Sequence, residues 1–120
     1  MIILYGIPNC DTVKKARAWL LGHAAPYEFY DFKKHGVPAE RLSAWSNAVG
    51  WDKLINRQGS SWRKLDAQTQ ASAADDSGAQ ALVLAHTSVI KRPVVEWGTD
   101  ISVGFDASLW KARLEICRAL

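Results

Sequence analysis

The sequence has few cysteines, no long apolar run and no cluster of basic residues, and each shortage removes a class of answer. Its two cysteines, Cys10 and Cys117, stand far apart. They supply neither a disulfide framework nor a set of metal ligands, and position 13, where the second cysteine of a C-x-x-C pair would fall, is Val13. No metal is expected. No stretch is long enough to span a membrane. The opening residues, MIILYGIPNC, lack a charged n-region, a long apolar h-region and an A-x-A-like cleavage site. The reading is therefore a reduced, cytoplasmic protein. The net charge of +3 slightly favours anionic partners, but lysines and arginines are scattered, so a nucleic-acid partner is not expected.

What remains is a chain of 120 residues, 48% of them apolar, enough for one core and short for two ordinary domains. A single domain over 1–120 is expected, acting as a monomer. Six tryptophans add large apolar surfaces. Trp45 and Trp62 are read as core or half-buried.

Residues 2–5 form a short apolar run that suits a buried strand, and Gly6, Pro8 and Asn9 follow as turn residues. From position 10 to 21, Val13, Ala16 and Leu20 recur at helical spacing with Lys14, Lys15 and Arg17 on the wetter side, and Gly22 ends the run. Aromatics over 26–32 give a second strand, parallel to the first through a right-handed crossover. Pro38 suits the first turn of a helix carrying Leu42, Trp45 and Val49, which Gly50 closes. Further helical pieces are expected over 51–55 and after Asp66, the latter interrupted near 75–78. Residues 94–97 and 101–105 read as an antiparallel hairpin around Gly98, Thr99 and Asp100. Asp106 then caps a last helix whose apolar face holds Leu109, Trp110, Leu114 and Cys117. The order βαβ, helical block, ββα describes an α/β, thioredoxin-like fold with a helical insertion over approximately 36–87.

Cys10 opens the first helix, where unpaired N–H groups and the helix dipole favour negative charge. A nucleophilic thiol there would need further donors or cations, and Thr12 and Lys14 are the near candidates. The alternative is a small packed thiol. Cys117, on an apolar face, reads first as a core thiol and second as a resolving one. Arg57 and Arg92 each stand beside chain-breaking residues, and their planar donor forks suit oxyanions and carboxylates, although a solvated arginine needs no ligand. Pro93 lacks a ladder donor and so marks the start of a strand, with either a cis or a trans bond before it.

The run Tyr5-Gly6-Ile7-Pro8-Asn9-Cys10-Asp11-Thr12-Val13-Lys14-Lys15-Ala16 resembles the opening of the ArsC-like family of arsenate reductases and Spx regulators, and particularly its YffB-type branch. Asn56-Arg57-Gln58-Gly59, Ser61-Trp62-Arg63-Lys64-Leu65, Ile90-Lys91-Arg92-Pro93-Val94 and Val103-Gly104-Phe105 match that branch in order and spacing, so the likeness covers essentially the whole chain. It implies a cis proline at Pro93, a cleft formed by Cys10, Arg57 and Arg92, and glutathione as co-substrate with no bound cofactor. Lys14, Thr12 and Pro93 join the implied anion- or glutathione-binding set. Three features depart from arsenate reductases of the family. The arginine expected near the last strand is absent from Ser102-Val103-Gly104-Phe105-Asp106. Gly6 replaces a histidine four residues before the cysteine, and Val13 a serine three after it. The resemblance therefore implies a glutathione-dependent thiol oxidoreductase using one cysteine. Its alternatives are arsenate reduction proper and a non-enzymatic, Spx-like regulator that docks on RNA polymerase.

Overall fold

The computed structural model describes residues 1–119. They fall into two compact units, one made of Met1–His35 and the chain from Arg92 onward, the other of Gly36–Lys91.

The first unit is a four-stranded sheet with two long helices. Strands β1 (Ile2–Gly6), β2 (Tyr27–Asp31), β3 (Val94–Trp97) and β4 (Asp100–Val103) lie in the order β2-β1-β3-β4. The β1 and β2 strands are parallel, as their helical crossover α1 (Asp11–Gly22) requires, and the other two pairings are antiparallel. Residues two apart on a strand share a face. Thus Ile2 and Leu4 from β1 and Val95 and Trp97 from β3 enter one core with Val13, Ala16 and Leu20 of α1 and Trp110 and Leu114 of the last helix, α8 (Ala107–Ala119). Trp110 anchors this layer. The rings of Trp19, Trp97 and Phe105 all meet it edge-on, with centroids 5.6, 4.9 and 4.8 Å away.

The antiparallel hairpin and the cap of α8 are present as the sequence reading expects, although Asp100, read as a turn residue, already belongs to β4. Asp106 Oδ1 accepts from the backbone N–H groups of Ser108 and Leu109. The buried face of α8 is narrower than its pattern suggests, because Leu109 is exposed and Cys117 only half-buried, leaving Trp110 and Leu114 as its core residues. Strand β4 stops at Val103, since Gly104 turns out of the ladder with φ +77° and its N–H reaches the Pro93 carbonyl at 2.8 Å. Pro93 itself lies one residue before β3 and is not the strand's first residue.

The second unit is helical. It holds α3 (Ala39–Val49), α4 (Trp51–Leu54), α5 (Ser60–Arg63), α6 (Ala67–Ala71), α7 (Asp76–Ala85) and short 3-10 turns at Ser72–Ala74 and Thr87–Val89. The four-residue α2 (Phe32–His35) ends the first segment of the other unit. Pro38 is the N-cap of α3 and so stands outside its first turn. Trp45 and Trp62 are both buried. The break anticipated over 75–78 is confined to Asp75, whose carboxylate caps α7 by accepting from Gly78 N–H at 2.6 Å, so that residues 76–78 are already helical. An antiparallel bridge between Ile55 and Ile90 pins the chain after α4 to the segment 89–91, through Asn56 N–H to the Val89 carbonyl and Lys91 N–H to that of Leu54, both at 2.7 Å.

Candidate functional site

Cys10 is the N-cap of α1. Its backbone is extended, at φ −105° and ψ 127°, and its carbonyl accepts the first helical bond, from Lys14 N–H at 2.9 Å. A serine or aspartate at this position would turn its side chain onto the helix N–H groups. The Cys10 thiol makes no such bond. It is half-buried, packed at the margin of the core formed by Val13, Leu4 and their neighbours, and it is a free thiol.

One turn on, Val13 is wholly buried. Behind it lies Gly6, the last residue of β1, which is buried as well. Gly6 and Val13, where the resemblance to arsenate reductases would lead one to expect a histidine and a serine, are thus packed together. Thr12 and Lys14, the other predicted partners on α1, are exposed. Asp11 supplies an acidic residue in the same first turn.

Strand register brings Arg92 and Pro93 to the same end of the sheet as this loop. Tyr5 pairs with Val94, so the chain leaves β1 through Gly6 toward Cys10 at the edge where it enters β3 from Pro93. The Arg92–Pro93 peptide is cis. Pro93 is buried and Arg92 half-buried, and among the described residues Arg92 makes no hydrogen bond or ion pair.

Arg57 belongs to the helical unit. It sits in a turn closed by Gly59 N–H to the Asn56 carbonyl at 3.2 Å, and the Asn56 side-chain oxygen accepts from Gln58 N–H at 3.3 Å. This explains why the Asn-Arg-Gln-Gly run looks like a chain break: it is a tight turn that presents Arg57 outward. The guanidinium lies 5.1 Å from the centre of the Trp62 ring, and its Nη2 is 3.3 Å from a carboxylate oxygen of Asp52. Neither neighbour was visible from the sequence, because the turn creates both contacts. Arg57 also borders an open hollow of about 600 Å³ together with Gly50, Trp51, Asp52, Lys53 and Asp76.

A buried polar pair also escapes sequence reading. Glu96 lies within a β3 run that looks apolar, and its carboxylate accepts from the Tyr5 hydroxyl at 2.9 Å. Cys117 packs against the same core as Cys10. Among the described residues, no group of three or more histidine, cysteine, aspartate or glutamate side chains is arranged to hold a metal ion. No helix among them is long and apolar enough to cross a membrane.

The chain as a whole is similar to several known proteins. The model of the ArsC family matches residues 5–113. The solved structure of a YFFB protein is 44% identical, covers 95% of this chain and 99% of its own, and superposes with a TM-score of 0.90. An arsenate reductase (ArsC) related protein from Brucella melitensis is 41% identical, with 95% and 94% of the two chains covered and a TM-score of 0.73. An uncharacterized protein of Haemophilus influenzae is 35% identical over 112 residues, 93% of this chain and 97% of that one. The global transcriptional regulator Spx of Streptococcus pyogenes serotype M6 is 28% identical over 115 residues, 88% of this chain and 79% of its own. With its thioredoxin-like sheet and its cysteine at the head of the first helix, this chain belongs to the ArsC family.

Proposed function

We propose that the protein is a glutathione-dependent thiol-disulfide oxidoreductase that works with the single nucleophile Cys10. The observation that carries this reading is the pairing of an uncommitted, half-exposed thiol at the N-cap of α1 with a wholly buried valine at the position where a second thiol would stand. The head of the helix favours the negative charge of an attacking thiolate. Without a resolving cysteine in that turn, the second step falls to an external thiol.

The reaction then has two exchanges. Cys10 thiolate attacks the glutathionyl sulfur of a mixed disulfide, forming a Cys10–glutathione disulfide and releasing the substrate thiolate, which takes a proton. The thiolate of a second glutathione attacks the glutathionyl sulfur of that intermediate, restoring Cys10 thiolate and giving glutathione disulfide. Arg92 and Arg57 are assigned to the tripeptide's carboxylates, with Thr12, Lys14 and the backbone at Pro93 as further binding groups. No bound cofactor is required, and the glutathione pool that drives the reaction is that of the cytoplasm. The absence of any cation from Ser102 through Asp106 supports thiol exchange over arsenate reduction, for which the family uses a third arginine.

The test is turnover of a glutathione mixed disulfide by the purified protein. Cys10→Ser should abolish it and Cys117→Ser should preserve it. Retention of activity in Cys10→Ser overturns the reading, and faster turnover of arsenate than of the disulfide replaces it with arsenate reduction.

A further inference from the structure

Arg57 does not meet solvent as a bare cation. Trp62, buried at 8% exposure, gives the guanidinium a fixed face to lie over, and stacking of this kind orients the planar fork. Its remaining edge is engaged by Asp52, whose side chain is 94% exposed while that of Arg57 is 44% exposed. An ion pair so exposed adds little to folding. The separation of 3.3 Å is also longer than the roughly 2.7–2.9 Å of a strong charge-assisted bond, so the contact is loosely held. What the pair does control is the availability of the fork. A carboxylate arriving from the adjoining hollow must take the place that the Asp52 carboxylate holds.

We infer that Asp52 is a built-in competitor that sets the ligand selectivity of Arg57: it imitates a ligand carboxylate, screens the guanidinium from weak or singly coordinating anions, and yields to a carboxylate able to use both arms of the fork. Asp52 is thus a specificity-determining residue and has no part in the sulfur chemistry. The inference rests on the assignment of Arg57 to a carboxylate of glutathione, and deepens it. Lys53 lines the same hollow and adds attraction for an anion, while Asp76 on its wall is engaged by the Trp51 indole N–H at 2.7 Å.

The experiment measures Kd for S-methylglutathione, which keeps both carboxylates but has no thiol, by calorimetry on the full chain. Asp52→Asn should tighten binding by about two- to fivefold, the range an exposed ion pair spans. In the Arg57→Gln background the same substitution should change nothing. Unchanged or weakened binding in Asp52→Asn, an equal gain in the Arg57→Gln background, or no binding to any variant overturns the inference. Circular dichroism on each variant checks that these exposed substitutions leave the fold intact. Because the ligand cannot undergo exchange, this outcome is separate from the Cys10→Ser turnover test, which judges the proposed reaction alone.

Discussion

A Cβ on Gly6 would stand 2.8 Å from Cγ2 of Val13, closer than two carbons can pack. The valine fills the space that the glycine leaves open, and the contact joins the end of β1 to the first turn of α1 on either side of Cys10. The absence of a side chain at position 6 and the bulk at position 13 are one packing solution.

Gly6→Ala should therefore destabilise the protein by about 1–3 kcal/mol, the usual cost of overpacking a close contact. Val13→Ala should cost a comparable amount by opening a cavity. Combined, they should cost less than their sum, because the shorter residue 13 accommodates the new methyl group. Denaturant unfolding of the four proteins checks this, and strict additivity would contradict the contact.

Val13→Cys tests whether only the side chain, and not the backbone, makes this a one-thiol site. Cys10 is the N-cap and position 13 is the third residue of α1, a separation typical of helix-start dithiols. On mild oxidation the variant should lose two titratable thiols and two mass units without dimerising. Disulfide-linked dimers, or a monomer that keeps all of its thiols titratable, would show that the geometry forbids closure.

Loss of charge at Arg92 should act on binding more than on chemistry. Arg92→Leu is expected to raise KM for glutathione by about tenfold, the loss of one charge-assisted hydrogen bond of roughly 1.5 kcal/mol, with a smaller change in kcat. Steady-state kinetics with glutathione and with an uncharged thiol separate the two. The uncharged thiol should show little dependence on Arg92, and an equal effect on both thiols would remove the carboxylate from the account.

The acid limb of stability should carry a local signature at Asp66. Its carboxylate caps α6 by accepting from Thr69 N–H at 2.7 Å, and this bond, first among its influences, holds its pKa below the ordinary 3.8. A depressed folded pKa contributes stability that is present above the unfolded value and disappears as pH falls through the folded one. The cap should therefore hold near neutrality and weaken only in acid, from the region of 3.8 downward. Carbon-detected NMR titration of the Asp66 carboxyl should give a midpoint under 3.8, and a midpoint at or above it would contradict the capping bond.

The order of elements was legible because each carries its own local signal. Apolar runs bounded by Gly6 and Gly98 mark strands, helical spacing of Val13, Ala16 and Leu20 marks α1, and Asp106 marks the start of α8. Cys10 stood out for the same reason, as a local juxtaposition of turn and helix. The break expected over 75–78 extends too far because a Cβ at Gly78 would collide with the Ser72 carbonyl, so the helix needs glycine where its first turn passes the preceding chain. That constraint is tertiary and leaves no local pattern. The same holds for the Asp52–Arg57–Trp62 group, assembled by a turn, and for the Tyr5–Glu96 hydrogen bond, which joins residues from opposite ends of the sequence.

The helix that carries Cys10 has no basic residue in its last turn. Arg118 of α8 supplies one from the far end of the sequence, donating to the His23 carbonyl at 2.7 Å and to that of Ala24 at 3.3 Å. Loss of Arg118 would therefore be felt as fraying of α1, and amide exchange in that last turn would report it before any change reached the thiol.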